Sequence, residues 1–274
     1  MASFNYDGVD LGEGGLALPK RITVGTQAGR AWFARGWFHV LNYNHEEAVA
    51  CFTRCVEVDP LCLMAYWGTA YAMSSSYNFP PGLGSGFDAI QAAMAGIQAA
   101  NETTYSQLER DLIYALSARS SAESKAAINP TEMFFGNPPE LNEKFAVEMG
   151  KLYAKYGGDD LDIAAVYAES LMVLKPWALW GKDETSGRIV PADDNTLVVK
   201  DVLMRAMAAP GGMENPAILH LFCHLMELSS DPEAAMPAAN ALRTLLPAAG
   251  HLTHMASHID VWAGKYEVRP KSVL

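Results

Sequence analysis

The sequence has few cysteines, no excess of positive charge and no long apolar run, and each shortage excludes a class of protein. Four cysteines in 274 residues are too few for a disulfide framework. Their setting in apolar helical stretches predicts reduced, packed thiols and a cytoplasmic location. The formal net charge of −11 argues against nucleic acid or an anionic membrane as partner, because phosphates attract basic surfaces. No run reaches the roughly 18 apolar residues of a membrane span, and the start lacks the basic and apolar segments of a secretory signal.

Helical periodicity covers most of the chain, and strand signals are nearly absent. The stretch AGRAWFARGWFHVLNYNHEEAVACFTRCVEVDP reads as two amphipathic helices joined by an Asn-rich turn. Five of its residues match the tetratricopeptide (TPR) signature in order and spacing: Trp32, Gly36, Ala48, Phe52 and Pro60. We therefore predict an all-α, TPR-like helical-hairpin solenoid. It forms a single domain over 29–268, between an N-terminal extended segment (1–28) and a short tail (269–274). The polar stretch GKDETSGRIVPADD is predicted to be an exposed loop or a lid.

Histidines are concentrated in two short stretches, HLFCHLMEL and HLTHMASHI, which hold five of the seven in the chain. His220 and His254 are 34 residues apart, as are His224 and His258, and 34 is the TPR period. Each pair therefore occupies equivalent places on two neighbouring parallel helices. Within a helix, the partners are one turn apart on the same face. At helix packing distances of about 8–10 Å, the four imidazoles can converge on one point.

In the TPR proteins that this chain resembles, each repeat consists of two helices. Residues at the second, fifth, ninth and twelfth positions of the first helix line the concave groove. That resemblance adds His251 and Glu227 to the four histidines, and an alignment of the preceding helix adds Glu169. Imidazole nitrogen and carboxylate oxygen bind zinc, copper, iron or manganese. Six or seven candidates exceed a closed four-ligand site, so they suit two ions, or one ion with outer partners that orient the rings. The alternative is that these are ordinary helical histidines, bonded to carbonyl groups or exposed.

In the first two predicted repeat units, aromatic residues occupy the fifth and ninth positions, which line the groove. Phe33, Trp37, Trp67 and Tyr71 could form a wall that binds an apolar or aromatic small molecule. The alternative is packing between the units. His45 and Glu46, in the turn between two helices, are weaker site candidates, because a cap or turn role explains His45 as well. His39 is predicted to be a core residue.

Longer motifs resemble a family of bacterial and fungal TPR proteins, mostly without assigned function. They are NHEEAVACF, MAYWGTAYA, YAESLMVLKPWALW, HLFCHLMELSSDPEAA and GHLTHMASHIDVWAGKY, and the resemblance runs from about residue 22 to 267. It implies the same site residues: His45, Glu46, Glu169, His220, His224, Glu227, His251, His254 and His258. The resemblance does not indicate which reaction the protein would catalyse. The chain departs from the family at Ala256, Ser257 and Trp262, and it lacks room for a second helix in the last hairpin. The uncapped end predicts a homodimer.

Three functions compete at this stage. The first is a metal-dependent oxidoreductase with copper or iron. Glu169 and Glu227 would serve as ligand, bridge or proton carrier. The substrate would be a small aromatic compound or natural product. The second is a zinc- or manganese-dependent hydrolase, in which a glutamate acts as general base. The third is a non-catalytic scaffold that binds protein or peptide, although the groove places lack the Lys, Arg and Asn of peptide-carboxylate clamps. The sequence favours the first.

Overall fold

The computed structural model describes residues 5, 6, 8–80, 82–122, 137–157 and 160–265, and over these the chain is mostly helical. The all-α prediction is confirmed at this level. The helices are α1 (Gln27–Leu41), α2 (His45–Val58), α3 (Leu63–Met73), α4 (Phe87–Ala99), α5 (Gln107–Ser117), α6 (Pro139–Tyr156), α7 (Leu161–Met172), α8 (Asp194–Ala208), α9 (Pro216–Met226), α10 (Met236–Leu245) and α11 (Gly250–Trp262). No helix within these ranges is both long enough and apolar enough to cross a membrane.

The chain divides into two compact units, Met1–Lys155 and Tyr156–Leu274. We describe each unit by itself, and the single domain over 29–268 stays a prediction. The N-terminal segment, predicted to be extended, contains two short 3-10 turns, Glu13–Gly15 and Leu18–Lys20, that contact α1. The predicted tail at 269–274 lies outside the described residues.

In the first unit, α1 and α2 form an antiparallel hairpin against which α3 packs. Helix α1 begins where the Thr26 side chain accepts a hydrogen bond from the Gly29 N–H. The buried ring of Phe52 then fills the space beside two glycines. A Cβ atom on Gly36 would lie 2.5 Å from this ring, and one on Gly68 would lie 2.6 Å from it. Only glycine at both positions lets α1 and α3 approach the ring this closely.

All four cysteines are buried and reduced, as the sequence predicted: Cys51, Cys55, Cys62 and Cys223. Burial, the main cause, raises the pKa of the Cys51 thiol to about 12, and it does the same for Cys223. We expect a thiol reagent at pH 8 to label none of the four in the native protein and all four after denaturation, because the thiolate is the reactive form. Rapid labelling of any cysteine before unfolding would contradict this arrangement.

In the second unit, α9 begins where the Asn215 side chain accepts from the N–H groups of Ala217 and Ile218, with Pro216 in the first helical turn. Every residue of α9 is buried, because α7, α8, α10 and α11 all pack on it. Helix α11 starts 34 residues after α9. The Arg243 guanidinium donates to both oxygens of the buried Asp260 carboxylate at 2.6 and 2.7 Å, which joins α10 to α11.

The predicted polar loop contains a small antiparallel hairpin. Its strands are β1 (Trp180–Lys182) and β2 (Ile189–Pro191), with Gly181 opposite Val190. The Trp180 indole N–H donates to the Leu225 carbonyl oxygen near the end of α9, at 2.6 Å. Three-residue strands leave too little alternation in the sequence to be recognised, so sequence periodicity missed them.

Candidate metal centre

Helices α9 and α11 bring five of the predicted site histidines together, along with Glu227. Helix α9 contributes His220 and His224, with Glu227 one residue past its last turn, and α11 contributes His251, His254 and His258. The two helices pack directly on each other. The 34-residue spacing of the two histidine pairs thus corresponds to equivalent places on two helices in contact.

Three of the histidines form an inner group. His220, His224 and His251 each offer one nitrogen, and these atoms lie within 4.8 Å of one another. The Nε2 atoms of His220 and His251 are 3.0 Å apart. The side chains of His220 and His224 are almost completely buried, at 2% exposure each, whereas His251 is partly exposed. These nitrogens are close enough to one another to bind a single metal ion.

His254 and His258 form an outer pair one helical turn further along α11. Their Nε2 atoms are 2.8 Å apart and their ring centres 4.6 Å apart. His254 is exposed to solvent, and His258 is partly exposed. The ring of His258 also lies 6.3 Å from that of His224, so the outer pair borders the inner group.

The buried carboxylate of Glu227 links the inner group to the outer pair. One oxygen lies 2.9 Å from His224 Nδ1, and the other lies 2.5 Å from His258 Nδ1. A carboxylate only accepts hydrogen bonds, so both Nδ1 atoms carry the proton. In a neutral ring, Nε2 then keeps its lone pair. Glu227 thereby fixes the tautomer and orientation of two imidazoles at once, as carboxylates commonly do for metal-bound histidines.

Burial and charge set the protonation of this cluster. Burial alone would raise the pKa of Glu227, but the hydrogen bonds from His224 and His258 outweigh it and lower the pKa to about 2. Burial, followed by the charges of neighbouring histidines, lowers the pKa of His251 to about 3. The hydrogen bond to Glu227 raises the pKa of His258. At neutral pH the site thus contains a carboxylate, and His251 is a neutral imidazole.

Glu169, predicted from the repeat alignment, lies in α7 and is 9% exposed. Helix α7 packs against α9, which carries His220 and His224. Burial of a carboxylate calls for polar or cationic partners, which is compatible with a site role. Its function as ligand or proton carrier stays a prediction.

The aromatic residues predicted to bind substrate lie in the first unit. Phe33, Trp37, Trp67 and Tyr71 are all buried. Trp67 stacks on Tyr71 with ring centres 5.2 Å apart, and its indole N–H donates to the Leu112 carbonyl oxygen. These contacts give the rings a packing role in that unit, and their contact with a substrate stays a prediction.

The two weaker candidates lie at the start of α2. His45 is the first residue of the helix, and its Nε2 lies 3.1 Å from the hydroxyl oxygen of Ser76. This bond attaches the start of α2 to the loop that follows α3. Glu46 is exposed and lines an open groove with Arg54 and Leu83. Both residues belong to the first unit, whereas the histidine cluster belongs to the second.

Sequence reasoning missed a second group of metal-ligand residues in the first unit. His39, Glu47 and Cys51 also bring ligand atoms within 4.8 Å of one another. The available signal was weak: Glu47 and Cys51 are one turn apart on α2, and His39 lies near the end of the antiparallel α1. His39 is buried, as predicted for a core residue.

Comparisons with known proteins add no relative to this picture. No family model, curated protein or solved structure matches the chain. Any function assigned to it therefore has to come from the chemistry of its own residues.

Proposed function

We propose that this chain is a metal-dependent enzyme with a transition-metal ion bound by His220, His224 and His251. The observation that carries the proposal is the position of Glu227. Its oxygens accept hydrogen bonds from the Nδ1–H groups of His224 and His258, so Nε2 is the nitrogen through which each neutral ring would bind metal. Three protein ligands leave a coordination position open, which is the usual arrangement of catalytic rather than structural sites.

The donor set favours copper. All the clustered ligands are imidazoles, which suit copper, zinc, iron and nickel, and copper binds most tightly among the divalent ions of the first transition row. Cys223, next to His224 in sequence, is buried but does not belong to the group of side chains whose ligand atoms lie close together here. Iron sites of this kind usually include a carboxylate ligand, which Glu169 would have to provide because both oxygens of Glu227 are already hydrogen-bonded.

A second ion at His254 and His258 would complete a dinuclear centre. Such a centre, held by the five histidines, would supply two-electron oxidation, in which the substrate would give two electrons and two protons to dioxygen to yield hydrogen peroxide. A small aromatic compound or natural product is the class of substrate that we propose. The alternative, a zinc or manganese hydrolase, would use a metal-bound water at the same open position.

We also propose that the fold is a TPR-like solenoid of the family that the sequence resembles, and that the chain forms a homodimer. Support for the fold comes from Phe52 and Gly36, two residues of the TPR signature that pack on each other, and from the 34-residue offset between α9 and α11. A peptide-binding scaffold is the competing function for this fold. The buried histidine–carboxylate cluster favours metal chemistry over it.

Metal analysis of protein purified without a histidine tag tests the proposal. We expect about one or two copper ions per chain, and their loss in a His220→Ala, His224→Ala double variant. Thr253→Ala, on α11 but outside the cluster, is the matched control and should keep the metal. Copper would be followed by oxygen-consumption assays with aromatic substrates, whereas zinc or manganese that the double variant loses would support the hydrolase. If neither purified nor metal-reconstituted protein holds stoichiometric metal that the double variant lacks, the proposal is wrong.

The two halves of the centre should respond differently to mutation. A His254→Ala, His258→Ala double variant should keep the inner ion and lose the outer one, because the inner group retains its three nitrogens. Metal analysis should then give half the copper content of the wild-type protein. Complete loss of copper would contradict independent inner and outer ions.

A further inference from the structure

The hydroxyl oxygen of Tyr6 is surrounded by three ligand-type side chains in the first unit. Tyr6 donates its hydroxyl proton to a Glu47 carboxylate oxygen at 2.9 Å. His39 Nε2 lies 2.6 Å from the same phenol oxygen, and Cys51 Sγ lies 3.8 Å from it. Tyr6 has only one proton to give, so His39 and Cys51 must donate to its oxygen. Three protons thus occupy the space between four potential ligand atoms.

Burial makes this group unlike a surface cluster. Tyr6 is 4% exposed, His39 8% and Cys51 1%, and Glu47 is partly exposed. The ligand atoms of His39, Glu47 and Cys51 lie within 4.8 Å of one another. They offer one nitrogen, one carboxylate oxygen and one sulfur, with the Tyr6 oxygen among them. Zinc in proteins binds nitrogen, sulfur and carboxylate oxygen and commonly takes four ligands.

We propose that Tyr6, His39, Glu47 and Cys51 form a second metal site, separate from the histidine cluster, that binds a divalent ion of the zinc type. The site has four protein ligands and no open position, so its role is structural. It ties the N-terminal segment at Tyr6 to α1 through His39, and to α2 through Glu47 and Cys51. It shares no residue with the proposed catalytic centre, so either proposal can fail without the other.

The charges around the site suit a divalent cation. A metal ion deprotonates a coordinating thiol outright, so the Cys51 proton would leave to solvent, and the Cys51 thiolate and the Glu47 carboxylate would together balance two positive charges. Tyr6 would bind as the neutral phenol, with its proton still donated to Glu47. The guanidinium of Arg35 stacks 5.0 Å from the centre of the Tyr6 ring and pairs with Glu13 at 3.3 Å. That charge is thus already compensated and does not oppose the ion.

One feature lowers the expected affinity. His39 Nδ1 is buried and has no hydrogen-bond partner within the described part of the chain. Coordination through Nε2 would move the ring proton to Nδ1, where no acceptor is available. We therefore expect the ion to bind more weakly than in a closed thiolate-rich site and to be removable by a chelator.

Cobalt substitution distinguishes this site from the histidine cluster, which contains no sulfur. Metal-free protein prepared with EDTA is titrated with Co²⁺, and thiolate-to-cobalt charge-transfer absorption is recorded. We expect the band in the wild type and its loss in Cys51→Ser. Cys223→Ser is the matched cysteine control and should keep it. The His220→Ala, His224→Ala variant should keep it too, even if the catalytic proposal is wrong.

Two results would overturn the inference: no thiolate band in folded wild-type protein, or a band that survives Cys51→Ser. If Cys51→Ser does not fold, Glu47→Gln serves instead, with an expected tenfold or greater loss of cobalt affinity. Unchanged affinity in that variant also overturns the site. As a readout independent of colour, removal of zinc should accelerate tryptic cleavage after Lys20 or Arg21 at least tenfold, whereas a network held by hydrogen bonds alone would leave cleavage unchanged.

Discussion

Replacement of Glu227 by glutamine is expected to weaken metal binding at the inner group about 10- to 100-fold, although every histidine remains in place. The glutamine amide has one oxygen instead of two. It can accept the Nδ1–H of His224 or of His258, but its NH₂ group faces the other ring and repels that ring's Nδ1–H. One imidazole must then rotate or change tautomer, which removes a well-placed Nε2 lone pair.

Competition titration against a chromophoric chelator would measure this effect. Glu233→Gln is the matched control, since Glu233 is largely exposed and its ion pair with Lys265 is long at 3.8 Å. Affinity equal to wild type would mean that Glu227 does not orient the ligands. Loss of the ion beyond the range of the assay would instead support the role predicted from the sequence, in which Glu227 is itself a ligand.

Phe52→Ala should lower the free energy of unfolding of the first unit by about 3–5 kcal/mol, which is typical for a buried aromatic ring. The ring lies between Gly36 and Gly68, and neither glycine has a side chain that could move into the vacated space. The cavity should therefore stay largely open, so the loss of unfolding free energy should lie toward the upper end of that range.

Guanidinium unfolding followed by far-ultraviolet circular dichroism would measure the loss. Val58→Ala is the control: Val58 lies on the same helix but is 42% exposed, and its change should stay within about 0.5 kcal/mol. A loss below about 1 kcal/mol for Phe52→Ala would mean that α1 and α3 close over the gap.

The histidine cluster could be predicted from the sequence because two periods coincide there. The four-residue spacing within each stretch places two imidazoles on one helical face, and the 34-residue spacing between His220 and His254 places the two helices side by side. Local rules suffice here because both spacings follow from the geometry of the helical backbone.

The role of Glu227 could not be predicted in the same way. Its place near the histidines follows from helix geometry, but its contact with Nδ1 atoms depends on side-chain rotation, which no sequence pattern encodes. The Tyr6 group was missed for a different reason. Tyr6 lies in a segment without periodicity, and it contacts Cys51, which lies 45 positions further along the chain. Such contacts depend on how the segment folds back on α1.

The graded exposure of the five histidines has a consequence for how an ion would arrive. His254 is exposed, His251 and His258 are partly exposed, and His220 and His224 are buried. A hydrated ion captured at His254 could exchange one water for one imidazole at a time as it moves inward. The cost of dehydration would then be divided over several small steps. Loading and release would follow the same path, so the exposed ring of His254 would control the rate of both.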